Sequence, residues 1–164
     1  MIRLSVLLIF LFSKVSFAQV NVNSIIKLKE NIPEECGLSF VIDKEYNFVE
    51  ARVSIKKLEN QDTITRFAVN SENSLKKADI QTQSAKISEI INKNNSSEDS
   101  FILSGKTDQD SMTFFFQELL IGGGALLIDD NKHEIKGPID SKVRLEYLFC
   151  TGEMFLPNYQ KKNE

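Results

Sequence analysis

The chain has 164 residues, 41% hydrophobic and 26% charged, with 7 Gly, 3 Pro, 12 Phe and a formal charge of −3. That size suits one globular domain and is short for two, and the apolar content excludes a collagen-like or low-complexity chain and argues against wholesale disorder. With 2 Cys and 1 His, a disulfide-dense scaffold and a four-cysteine zinc site are excluded, and little remains for metal or acid–base chemistry.

The chain opens on Met1-Ile2-Arg3, followed by a wholly apolar run over residues 6–12 and by Ser16 and Ala18 at the spacing a signal peptidase accepts. This pattern predicts a secretory signal peptide over residues 1–18, cleaved after Ala18. The competing reading, a membrane anchor, needs about 20 apolar residues, and Lys14 closes the run early. The remaining residues, 19–164, are expected to form a single β-rich domain, periplasmic or secreted, with no stable membrane span. Loss of Arg3 and Lys14 with the signal takes the formal charge from −3 to −5. A mildly acidic domain is not steered to nucleic acid or anionic lipid. The abundance of Lys, Asn and Ile points to a bacterial source.

Along the mature chain, Val22, Ile25, Ile26 and Leu28 suggest a short first strand, and residues 36–42 a second. Residues 48–58 alternate, with Val49, Ala51, Val53 and Ile55 on one side and Phe48, Glu50, Arg52 and Ser54 on the other, as a half-buried strand does. Residues 63–69 complete a hairpin with it. A strand is expected near 77–82 and a short helix near 84–92, where Ile87, Ile90 and Ile91 fall at helical spacing. Residues 92–100 read as a polar loop.

Residues 101–105 read as a strand. A helix over 108–121 follows, with Thr107 and Asp110 in capping-box spacing. Its stripe is Met112, Phe115, Phe116, Leu119 and Leu120, and the glycines from Gly122 to Gly124 end it. Strands are expected at 125–128, 133–139 and 143–155, and residues 157–164 read as a frayed tail. The sum is a mainly β, α+β domain: a compact antiparallel sandwich-like body with one strong helix.

Cys36 and Cys150 have no competitor, and an even pair in an oxidising compartment forms a disulfide. A redox pair would show C-x-x-C, and a catalytic thiol would depend on His133 alone. Other candidates for chemistry each have a plainer explanation. Asp108 and Asp110 lack the glycine and glutamate of a calcium loop and serve a helix start. The glycines at 122–124 lack the Lys-Ser/Thr of a phosphate loop and serve a helix stop. His133 with Asp129, Asp130 and Glu134 reads as a hydrated hairpin tip rather than a zinc site. No catalytic set, metal or cofactor is expected.

Phe114 and Ile121 fall off the helix's main stripe, together on a second side. A helix apolar on two sides sits deep or meets a partner; core packing is the first reading, and a partner surface the second, for which these two residues are the candidates. The expected function is an exported, non-enzymatic binding or accessory protein of the bacterial envelope, acting on an envelope or secreted protein through protein–protein contact. The alternative is a small secreted hydrolase using carboxylates, which requires acids to converge in a concave pocket.

Overall fold

The computed structural model describes residues 20–44, 47–59, 62–71, 75–90, 103–105 and 109–156. The expected signal peptide, the polar loop 92–100, the tail 157–164 and the cap at Thr107 lie outside the described residues. In chain order the elements are β1 (Val20–Lys29), β2 (Ile32–Lys44), β3 (Asn47–Lys57), β4 (Thr63–Ser71), β5 (Lys77–Gln81), β6 (Lys86–Ile90), β7 (Leu103–Gly105), α1 (Gln109–Gly122), β8 (Gly123–Ile128), β9 (Asn131–Lys136) and α2 (Ser141–Phe155).

The strands form two antiparallel sheets, ordered β1-β2-β3-β4-β7 and β6-β5-β8-β9. The larger sheet grows from alternation. Leu38, Phe40 and Ile42 of β2 pair with Val53, Ala51 and Val49 of β3, and all six are buried on one face. The smaller sheet offers Ala78 and Ile80 of β5 against Ile128 and Leu126 of β8. Both faces, together with the stripe of α1, join one hydrophobic cluster. The architecture is therefore mainly β with two helices, as the alternation predicts.

Helix α1 spans nearly the expected residues, and Met112, Phe115, Phe116, Leu119 and Leu120 are all buried. Two other expectations are corrected. The predicted short helix near 84–92 is a strand over its described part. Thr82 and Ala85 close a tight turn, the Thr82 amide donating to the Ala85 carbonyl at 2.8 Å, and Ile87 is thereby placed opposite Ile80. The β-branched isoleucines suit that pleated edge.

The predicted strand over 143–155 is helix α2. Asp140 caps it, accepting from the Lys142 amide at 2.9 Å. The residues it buries are Val143, Tyr147, Cys150 and Met154, at helical spacing. Their alternating neighbours Leu145 and Phe149 are exposed. Tyr147 stacks on Phe116 with ring centroids 4.7 Å apart, so α2 also packs on α1.

The helix lies across β1 and β2, and three ties hold it there. Ser24 Oγ donates to Glu146 at 2.5 Å, Lys57 Nζ donates to the Met154 carbonyl at 3.0 Å, and Cys36 is bonded to Cys150. The expected disulfide is present, with Cα atoms 5.8 Å apart, inside the range a bridge tolerates. Such a bridge fits an extracellular or periplasmic location. Among the described residues no helix is long and apolar enough to cross a membrane.

The opposite face of the larger sheet is polar and centres on Glu35, which is 6% exposed. Lys27 Nζ and Ser54 Oγ donate to its carboxylate at 2.8 and 2.6 Å, and Arg66 lies 3.6 Å away. Burial opposes the charge on Glu35. The hydrogen bonds from Lys27 and Ser54, with the charges of Lys27 and Arg66, outweigh it and hold the carboxyl below its ordinary value of 4.5.

Two outcomes are expected. The bridge spans 114 residues of sequence, for which loop closure contributes roughly 4–5 kcal/mol. Thiol titration of the folded protein, prepared under oxidising conditions, should find no free thiol, and reduction should clearly lower its melting temperature. For Glu35, a depressed folded-state pKa stabilises the fold above the unfolded value and loses that contribution as pH falls through the folded one. Melting temperature should therefore drop as the pH falls below about 4.5. Glu35→Gln should be less stable than the wild type at neutral pH, and the two should converge in acid.

Candidate functional site

Helix α1 carries large apolar residues on two sides, so both must be accounted for. Its buried stripe faces the core, and Phe114 and Ile121 stand on the outer side, 53% and 66% exposed. They are seven positions apart, which puts them on one side of the helix and about 10 Å apart along it. The structure thus brings both candidate partner residues to a common exposed surface. Gln117, between them, is exposed as well.

Glu118 does not simply face water. Its Oε2 accepts from Thr82 Oγ1 at 2.5 Å and from the Ser84 amide at 3.2 Å, tying α1 to the β5–β6 turn. These bonds from Thr82 and Ser84, against a smaller opposing effect of burial, hold its carboxyl below the usual range.

Ile121 also borders an open groove of about 1180 Å³. One wall is Gln117, Glu118 and Ile121 of α1. The floor is the glycine run and Ala125 at the start of β8, the far wall is Lys132, Glu134 and Lys136 of β9, and the turn at Thr82 and Gln83 closes one end.

The glycines of this floor are explained by packing. Gly123 has a φ of +76° and ends α1, and a Cβ there would strike the Ile135 carbonyl oxygen. A Cβ at Gly124 would strike the Gln81 carbonyl oxygen, because β5 and β8 approach closely there. The helix-stop reading of these residues accounts for them, and the phosphate-loop reading has no observation left to support it.

The Asp129–His133 region is likewise a structural corner. Asp129 takes a φ of +50° in the β8–β9 turn, and its Oδ1 accepts from the Lys76 and Lys77 amides at 2.8 and 3.0 Å. Among the described residues no group of three or more His, Cys, Asp or Glu converges as a metal site. Asp108 lies outside the described residues. Cys36 and Cys150 are spent on the bridge and offer no thiol.

Two acids, Glu118 and Glu134, border the same groove. This partial convergence was invisible in sequence, where they stand 16 positions apart on different elements. Also missed was the outer side of α2, where Leu145, Leu148 and Phe149 are exposed. A period-2 reading of that segment hid the stripe, although its spacing fits a helix.

Comparison of the chain with protein-family models, with curated proteins and with solved structures finds no match.

The glycine argument has a direct check. Gly123→Ala should cost more than 1 kcal/mol, as substitutions at left-handed positions with a steric clash do (about 1–3 kcal/mol). Gly122→Ala, where a Cβ would meet nothing within 4 Å, should leave stability unchanged or slightly raised. Chemical denaturation of both variants measures the contrast.

Proposed function

We propose that this chain is an exported, disulfide-closed binding or accessory protein of the bacterial envelope that acts through protein–protein contact. The observation that carries the reading is the outer side of α1. Phe114 and Ile121 are large, apolar and exposed on a helix whose other side is wholly buried. Exposed apolar pairs beside a groove are what partner surfaces offer, since aromatic anchors supply most of the binding energy at such contacts. The mixed wall of Lys132, Glu134 and Lys136 would form the polar rim.

The signal pattern at the N-terminus and the bridge both support export. The partner would be a protein that meets the domain after secretion, through an apolar residue seated between Phe114 and Ile121.

The hydrolase reading rests on Glu118 and Glu134 in the groove. Glycoside cleavage by two carboxylates needs one of them raised to act as a proton donor. Glu118 is shifted the other way and is committed to Thr82 and Ser84. The binding reading is therefore favoured.

The test is Phe114→Asp in the exported protein. Its far-ultraviolet circular dichroism and melting temperature should match the wild type, while capture of the partner from envelope extract should be lost. Glu118→Gln should retain capture. Unfolding of Phe114→Asp would make the residue part of the core, and undiminished capture would move the contact elsewhere.

A further inference from the structure

The outer side of α2 is a second apolar surface, separate from α1. Val143, Tyr147, Cys150 and Met154 point into the protein, and Leu145, Leu148 and Phe149 occupy the opposite side, Phe149 with 68% of its surface exposed. Leu145 to Gly152 covers about 10 Å of helix. Beside them sits Gly152, one of the poorest residues inside a helix. Nothing among the described residues requires it, because a Cβ at that position would meet nothing within 4 Å. The fold thus bears an unfavourable residue at the end of an uncovered apolar stripe.

The flanking charges indicate what would cover it. Lys142 and Glu153 stand on the same flank of the stripe, at its two ends. When two copies of such a helix pack antiparallel about a two-fold axis, each flank meets the same flank of the other copy with direction reversed. Lys142 of each copy then falls beside Glu153 of the other. Within about 3 Å of the same register Leu145 lies over the gap at Gly152, while Leu148 and Phe149, on opposite flanks of the stripe, each meet their own counterpart across the axis. Opposite charges at the ends, apolar residues in the middle and a small residue opposite a large one make the surface complementary to itself.

We propose that the outer face of α2 is a homodimer surface, with two copies of this chain pairing their α2 helices antiparallel across Leu145, Leu148, Phe149 and Gly152. The dimer would hold the two α2 helices back to back, each still fastened to its own sheet through Cys150 and Ser24. A contact of one helix pair is at the small end of stable interfaces, so dimerisation should depend on concentration.

Analytical ultracentrifugation of the exported, oxidised protein over a concentration series provides the test. The expected result is a monomer–dimer equilibrium, abolished by Phe149→Asp and weakened at least ~10-fold by Gly152→Gln. Circular dichroism of both variants should remain that of the folded protein, and Gly152→Gln should not lower the melting temperature of the dilute monomer.

The decisive variants are the charge swaps. Lys142→Glu alone and Glu153→Lys alone should each weaken the dimer, and the double variant should restore it. A wild type that stays monomeric throughout overturns the proposal. So does a dimer that survives Phe149→Asp, or a double variant no better than the singles. Phe114→Asp should leave the dimer intact, which separates this surface from the one on α1.

Discussion

The covalent joint between Cys36 and Cys150 ties the end of the chain to its beginning. Cys36 sits in the inward face of β2 with no exposed surface, and Cys150 projects from the third turn of α2. The bridge fixes α2 at that point, beside its contacts through Ser24 and Lys57. Its Tyr147 stacks on Phe116, so the bridge positions α1 at one remove. Leu120 of α1 in turn accepts a backbone hydrogen bond from Ile139, just before α2 begins. The larger sheet, α2 and α1 are thereby linked into a sequence of contacts, and β8 follows directly from α1 into the smaller sheet.

The smaller sheet depends on close backbone approach rather than on large side chains. Where β8 passes β5 and β9, Gly124 and Gly123 leave no room for a Cβ. The same glycines line the groove between α1 and β9. The polar face of the larger sheet is managed differently, by burying a single carboxylate, Glu35, under Lys27, Arg66 and Ser54. A buried charge is tolerated there because each of its oxygens has a donor.

Both helices are apolar on two sides, and in each only one side is used by the fold. For α1 the free side carries Phe114 and Ile121 beside the groove. For α2 it carries Leu145, Leu148 and Phe149 around Gly152. Leaving large apolar groups in water costs solubility without helping the fold. Two such faces on one small domain are the features that the binding reading and the proposed self-pairing explain separately.

The amino-acid sequence by itself determined those parts whose periodicity admits one reading. Val49, Ala51, Val53 and Ile55 alternate over enough residues to define β3 and its buried face. Met112, Phe115, Phe116, Leu119 and Leu120 recur as only a helix allows, and the glycines after them end α1. The pairing of Cys36 with Cys150 followed from having no third cysteine. That Phe114 and Ile121 lie off the stripe is legible too, but core packing is the favoured reading of that second side, and only the packed structure leaves the two residues exposed.

Tertiary structure decided the segments where two periods coexist. Residues 143–149 alternate like a strand, yet Val143, Tyr147, Cys150 and Met154 also keep helical spacing. The helix prevails because it buries that set against β1 and β2 and brings Cys150 to Cys36. Ile87 satisfies either period, and the free edge of β5 draws it into a strand. The groove was illegible for a further reason. Its walls come from α1, β8, β9 and the β5–β6 turn, and no linear pattern relates residues that meet only when two sheets and a helix have packed.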